Sequence, residues 1–404
     1  MRVTCLHQPL RQSLQGPLST STIIRRKFSS TVASRSLIPN FAFAFDIDGV
    51  LLRSAKPLPG AAESIQLLRK EKIPLVFLTN GGGMHETERI AQLSERLHTP
   101  LETSMIIQSH TPFAELVKGN GKQEALENKC VLVVGGGDGK CRSVAKEYGF
   151  KSIVTPGDIF SSHPSIWPFS DAFNDYYKRF TSPIPRPINA ADPSKSLKID
   201  AILVFNDPRD WALDIQIIID LLLSSQGILG TYSVKNNNPD LPNCGFQQDG
   251  QPPIYFSNPD LLWAAQYHQP RLGQGGFSAA LEGVWAAMTG GAPLQKTVIG
   301  KPHELTYKFA ETRLNQEREQ MFGMKDLEPL KDVYMIGDNP ESDIRGANSY
   351  KSPLGTRWNS VLVNSGVYSG GQPAWPPKVI VDGVKDAVEW AMRQSQWPHA
   401  PSSK

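Results

Sequence analysis

The sequence is poor in cysteine and has no long apolar run. Cys5, Cys130, Cys141 and Cys244 are its four cysteines in 404 residues, and no two of them form a C-x-x-C pair. That excludes a disulfide framework and a zinc site of the usual spacing, and leaves free thiols in a reducing compartment. The richest apolar stretch, Ile215–Leu223, is nine residues long and interrupted by Asp220, well short of the roughly 18 residues that suggest a membrane span. No transmembrane segment is expected. Acidic residues are missing before Asp46, where Arg2, Arg11, Arg25, Arg26, Lys27 and Arg35 carry the only formal charges on side chains other than His. Without this leader the chain is mildly acidic, which argues against nucleic acid as a partner. The leader is also rich in Ser and Thr, the composition of a mitochondrial transit peptide. Arg26-Lys27-Phe28-Ser29 resembles a site cut by the matrix processing peptidase. Residues 1–40 are therefore expected to address the chain to the mitochondrial matrix, the alternative being a disordered basic tail.

Hydrophobic residues make up 40% of the chain and charged residues 20%, the balance of an ordinary globular protein. Strand-like runs alternate with helical patterns, which predicts an α/β fold with a Rossmann-like parallel sheet. Phe41-Ala-Phe-Ala-Phe45 is apolar at every position, as a strand covered on both faces should be, and ends in Asp46-Ile-Asp48-Gly49. Pro74–Leu78 ends in Thr79-Asn80, Thr297–Gly300 in Lys301-Pro302, and Val333–Gly337 in Asp338-Asn339, with Asp343 shortly after. Ligands bind outside the carboxyl ends of the strands in open α/β sheets, so these groups are expected to converge although they span almost the whole chain.

Asp46, Asp48 and Asp338 are hard oxygen donors suited to Mg²⁺, and their motifs contain no softer His or Cys ligand. The Lys301 ammonium, the Thr79 hydroxyl and the Asn80 amide are donors that hold phosphate oxygens. The set points to phosphoryl transfer. One carboxylate at a strand end can attack phosphorus, and a second, two residues on, can protonate the leaving oxygen and later activate water. Each motif alone is also consistent with an ordinary strand-to-helix loop, which is rich in Asp, Asn, Gly and Pro; the ordered set of four is not.

Asp46-Ile-Asp-Gly-Val50, Thr79-Asn80, Lys301 and Gly337-Asp-Asn-Pro-Glu-Ser-Asp343 resemble the four motifs of the haloacid dehalogenase (HAD) superfamily. The long insertion between the second and third motifs is similar to the α/β cap of its class IIA hydrolases. Asp46–Arg53, Asn206-Asp-Pro-Arg-Asp-Trp211 and Gly300-Lys-Pro-His303 are most similar to the branch named after the cat eye syndrome critical region protein, a mitochondrial group. The resemblance implies a HAD-fold core from 41 to 109 and from 273 to 404, with a cap domain from 110 to 272. It implies Asp46 as nucleophile and metal ligand, and Asp48 as general acid/base that binds the metal through its main-chain carbonyl. Thr79 and Lys301 would hold the phosphoryl group, and Asp338 would complete the metal shell with Asp343 supporting it. Relatives in this class pair through their caps, which implies a possible homodimer.

Within the expected cap, Cys130–Val134, Ile199–Phe205 and Ile254–Ser257 read as strands, and 212–225 as a long helix. Val134-Gly-Gly-Gly-Asp-Gly-Lys140 fits neither phosphate-loop spacing, because Cys141 stands where a hydroxyl should be, so it reads as a turn into a helix. Between Thr155 and Lys198 lie seven prolines, which predicts a long irregular excursion, either partly disordered or closing over the site. Ser257-Asn258-Pro259-Asp260 resembles the class IIA substrate-facing pattern, with Asn80, Asn258 and Asp260 as substrate-binding candidates. The same residues would also make a good start for a helix 261–267. Gly273-Gln-Gly-Gly276 resembles the hinge that returns the chain to the core, before a helix 277–288. Segments 358–371 and 378–382 read as the last strands, followed by a closing helix 387–393.

The expected function is a Mg²⁺-dependent phosphatase that hydrolyses a small phosphorylated metabolite through an aspartyl-phosphate at Asp46. The alternatives are a phosphotransferase or mutase of the same fold, and a mitochondrial binding or scaffold protein with little turnover. A mitochondrial address would suit a link to glycerophospholipid metabolism. The acid pair argues against the dehalogenase branch, which needs no acid/base at 48.

Overall fold

The computed structural model describes residues 38–119, 124–169, 171–189, 191–263, 267, 269, 271–368 and 370–401. Apart from Ile38, Pro39 and Asn40, the expected leader lies outside the described residues.

The fold grows from strands that are apolar on both faces. β1 (Phe41–Phe45), β2 (Leu75–Leu78) and β3 (Ile106–Ile107) come first. The chain then builds a second sheet from β4 (Cys130–Val134), β5 (Ser152–Val154), β6 (Ala201–Val204), β7 (Ile254–Phe256) and β8 (Thr297–Val298). It returns to the first sheet with β9 (Asp332–Gly337), β10 (Arg357–Val363) and β11 (Val379–Val381). The first sheet runs β11-β10-β9-β1-β2-β3 and the second β8-β7-β6-β4-β5, and every pairing within them is parallel. The α/β expectation is met twice in one chain.

Alternation along β1 sorts its side chains by size. Phe41, Phe43 and Phe45 pack with Ile65, Leu68, Val384 and Val388 from the helices Ala61–Lys70 and Val384–Gln394. Ala42 and Ala44 point the other way, where their small size admits Tyr307, Ala310 and Leu314 of the helix Glu304–Phe322. The side chains of β1 are thus buried on both faces, which explains the unbroken apolar run. The second sheet is covered likewise. Ile202, Val204 and Phe256 face the helix Trp211–Leu223, while Val131, Leu203 and Tyr255 face Phe113, Val144 and Ala145. No helix among the described residues is long and apolar enough to cross a membrane.

Three expectations are corrected. The strand before Lys301 is not in the first sheet, because Thr297 and Val298 pair with Tyr255 and Phe256 as the edge of the second. The helix predicted at 277–288 forms as Gln274–Thr289, and its Phe277, Leu281 and Trp285 belong to the hydrophobic layer of the second sheet. Residues 274–298, expected in the returning core, therefore pack with the second sheet. Finally, the described residues at the start of the helix expected at 261–267 form a strand instead. Leu262–Trp263 pairs antiparallel with Arg271–Leu272, because the glycine-rich segment folds back onto it. Gly273 N donates to Leu261 O at 2.9 Å and Gly275 N to Asp260 O at 2.9 Å. A Cβ on Gly275 would lie 2.3 Å from Pro259 O, so the close approach requires glycine there.

Candidate active site

Parallel strands bring their carboxyl ends to one edge. β1 ends beside β9, with Phe45 opposite Ile336, and Asp46 N donates to Ile336 O at 2.9 Å. Asp46 and Asp338 follow these two strands directly and so become neighbours. Ligand oxygens of Asp46, Asp338 and Asp343 all lie within 4.8 Å of one another, and all three residues are buried. Lys301 comes to the same cluster from the end of the second sheet, although 255 residues separate it from Asp46. Its Nζ stands 2.7 Å from Asp46 Oδ1 and 2.7 Å from Asp343 Oδ1.

Glycines make room for the acids. Gly49, at φ 90°, and Gly366 back onto Asp338, and a Cβ at either would lie 2.3 Å or 1.9 Å from its Oδ2. Val367 N donates to the same oxygen at 2.6 Å. Burial lifts the Asp338 carboxyl to about 8, with Asp46 and Asp343 adding to the rise. Burial likewise lifts Asp343 to about 7, aided by Asp46 and opposed by Lys301. Burial disfavours the Lys301 ammonium, but Asp343 and Asp46 outweigh it and raise its pKa above the ordinary lysine value. Once ionised, the three buried carboxylates outnumber the one ammonium and offer oxygen ligands alone, which fits a hard divalent cation such as Mg²⁺.

Asp48 sits differently. Its carboxylate is outside the cluster, 61% exposed, and 3.7 Å from the Arg89 guanidinium. Partial desolvation by the surrounding protein, together with Asp46, still raises its pKa. Thr79 is buried at the end of β2, where its Oγ1 accepts from Gly81 N at 3.0 Å. Asn80 joins the two sheets' layers: its Oδ1 accepts from Lys301 N at 2.8 Å, and its Nδ2 donates to Lys301 O at 2.9 Å. The same Nδ2 reaches both Asp260 oxygens at 3.1 Å, while Asn258 Nδ2 donates to Asn80 O at 3.0 Å. Burial pushes Asp260 up to about 6. All nine candidate residues thus lie at or beside one edge, with Asp48 at its exposed margin.

The sequence pattern did not mark Arg89 or Gly366, and it placed Gln274 only in the returning hinge. Gln274 is fully buried, and its Oε1 accepts from Asn258 N at 2.8 Å, holding the 257–260 loop in place. The spacing of charges along the helix Glu86–Arg96 was the one available signal for Arg89.

Comparison with known proteins agrees with this architecture. Residues 43–151 match the family model described as haloacid dehalogenase-like hydrolase, and residues 298–387 match a HAD-hydrolase-like model. A mitochondrial hydrolase of Saccharomyces cerevisiae is 38% identical over 384 residues, covering 91% of this chain and 98% of that protein. A cardiolipin synthase (CMP-forming)/mitochondrial hydrolase fusion protein of Schizosaccharomyces pombe is 38% identical over 383 residues, covering 94% of this chain. The chain spans 57% of the length of that fusion. Among solved structures, a p-nitrophenyl phosphatase of Archaeoglobus fulgidus superposes with a TM-score of 0.51 at 17% identity, over 86% of this chain and 98% of that one. A glycerol phosphate phosphatase of Mycobacterium tuberculosis, in complex with calcium, gives 0.51 at 18%, over 86% and 74%. At these identities the structures share the fold.

Proposed function

Because this chain belongs to the haloacid dehalogenase-like hydrolases, we propose that it is a Mg²⁺-dependent phosphatase acting on a small phosphate monoester. The observation that carries the reading is the buried Asp46, ion-paired to Lys301 at 2.7 Å and grouped with Asp338 and Asp343. A nucleophilic carboxylate, a cation for the phosphoryl oxygens and an oxygen-ligand cluster meet at one strand edge.

In this mechanism an Asp46 carboxylate oxygen attacks phosphorus as the ester oxygen departs, forming an aspartyl-phosphate. Asp48 gives its proton to the departing oxygen, then takes one from the water that attacks phosphorus and frees Asp46. Lys301 and Thr79 hold the transferring oxygens in line. Asp46, Asp338 and Asp343 would hold Mg²⁺, which would supply the positive charge that offsets repulsion between a carboxylate nucleophile and an anionic ester. The inserted unit, from about 110 to 299, would act as the cap that supplies the substrate pocket, with Asn258 and Asp260 facing it.

The two curated relatives named above carry mitochondrial in their names, and the acid-free basic leader supports the same compartment. The fission-yeast fusion to a cardiolipin synthase favours a phosphate monoester among phospholipid precursors as the substrate.

Release of phosphate from 4-nitrophenyl phosphate with Mg²⁺, and its loss on chelation, tests the reading. Asp46→Asn is expected to remove activity almost completely. Asp48→Asn should cost about 10²–10⁴-fold on alkyl phosphates and less on aryl phosphates, whose leaving groups depart unprotonated. Full activity in Asp46→Asn would overturn the mechanism, and a wild type silent across a phosphate-ester panel would overturn the function.

A further inference from the structure

Arg89 stands out beside the site. It lies on the helix Glu86–Arg96 of the core, and its side chain is only 17% exposed, whereas Asp48 beside it is 61% exposed. Among the described residues, the Asp48 carboxylate at 3.7 Å is the one side-chain partner of its guanidinium. That distance is too long for a hydrogen bond. A planar group with five N–H donors thus has a single loose ion pair, and its nitrogens still reach water. Those donors are open for a ligand to take beside Asp48. Arg96, about 10 Å further along the same helix, adds positive charge that Asp48 also feels. The acid expected to serve the ester oxygen is thus bordered by a cationic face.

We infer that Arg89 is a specificity-determining residue, and that the substrate carries a second anionic group, a carboxylate or a phosphodiester, a few bonds from the ester oxygen. This rests on the phosphatase reading and deepens it. Asp48 serves the bridging oxygen of the ester, so a guanidinium just beyond Asp48 meets whatever the leaving group bears next. Carboxylate and phosphodiester oxygens both match the fork of a guanidinium. The Asp48 pair is loose enough that the ligand can share the cation with it. A neutral leaving group would leave the donors as they are now.

Two substrates that differ by the anionic group alone test this. 3-Phosphoglycerate and glycerol 3-phosphate share a primary ester and differ in a carboxylate. The methyl phosphodiester of glycerol 1,3-bisphosphate replaces that carboxylate with a diester and tells the two anions apart. Wild type is expected to prefer at least one anionic substrate over glycerol 3-phosphate by about tenfold or more in kcat/KM, the scale of one charge-assisted hydrogen bond. Arg89→Gln should collapse that ratio toward one, and Arg89→Lys should keep part of it. Equal fractional losses on all three substrates would overturn the inference, since Arg89 would then act only through Asp48; so would a wild type with no preference. Calorimetric binding of the same three compounds to Asp46→Asn protein, with and without Arg89→Gln, reads the preference without turnover. If wild type is silent even on 4-nitrophenyl phosphate, the phosphatase reading fails while the binding arm still decides the role of Arg89.

Discussion

The three acids of the cluster set an energetic problem that a cation solves. Asp338 and Asp343 have pKa values lifted to about 8 and about 7, above the ordinary carboxylate range. A group whose folded pKa is raised holds more protons in the native than in the unfolded state between the two values, so stability falls as pH rises through that window. Without metal, the protein should lose stability from about pH 4 to about pH 8 through these two groups. Ionised carboxylates are also the better ligands, so cation affinity should climb over the same range. The expected result is a Mg²⁺-induced rise in Tm, measured against EDTA, that is larger at pH 8.5 than at pH 6. Taking the difference cancels other titrating groups. An increment that is equal at both values, or larger at pH 6, would show that these acids are not the metal ligands.

At the scale of elements, the proline-rich stretch shows how irregular chain is held. Asp158 caps the helix Pro156–Ser162 together with Thr155, and its carboxylate meets Arg142 Nη2 at 2.6 and 2.5 Å. The same carboxylate accepts from Ser182 N at 2.8 Å, which ties the excursion down. Tyr177 OH donates to Asp210 at 3.1 Å, and Tyr176 accepts from Asp138 N at 3.2 Å. The described part of the stretch therefore packs on the second sheet's layer. Asp158→Ala would leave Arg142, at 18% exposure, without its carboxylate and with only Ile153 O and Thr155 Oγ1 to accept from it, costing about 2–3 kcal/mol, and release Ser182. Trypsin should then cut faster at Lys178 and Arg179, and an unchanged digestion rate would show that this tie does not order the segment. Prolines alone could not reveal it, because the partners come from distant helices. The strand before Lys301 illustrates the same limit. Thr297-Val298 looks like any apolar strand, and which sheet it joins depends on Phe256, 42 positions back. Elements were legible where period and apolarity are local, as in β1, β4, β6 and the helix Trp211–Leu223. The Asp46, Thr79, Lys301 and Asp338 positions were legible because each follows an apolar run. Arg89 was not, since its significance comes from a tertiary neighbour.

At the scale of the molecule, two of the places where the inserted unit is fastened to the core differ in character. One lies where the chain first crosses. Glu86 is buried on the core helix and accepts from Thr111 Oγ1 and Tyr148 OH, both at 2.5 Å. Since Tyr148 donates to Glu86, its oxygen accepts from His110 Nδ1–H at 2.8 Å. Burial holds that His110 neutral, with a pKa pushed down to about 4. The other fastening is the Asn80–Asp260 pair beside Lys301. Removing the Tyr148 hydroxyl strips a donor from a buried carboxylate, a loss of about 1.5–3 kcal/mol. Asp260, with its pKa raised to about 6, is by contrast a net burden on the fold at neutral pH, so its removal should cost little stability. Tyr148→Phe is therefore expected to lower Tm by a few degrees with KM for a phosphate ester nearly unchanged. Asp260→Ala should leave Tm within about a degree and raise KM several-fold, because the clasp that closes the unit over Lys301 is gone. Calorimetry with steady-state kinetics on the two variants separates these outcomes. A fall in Tm for Asp260→Ala with KM untouched would make the clasp a piece of scaffold and move substrate closure elsewhere.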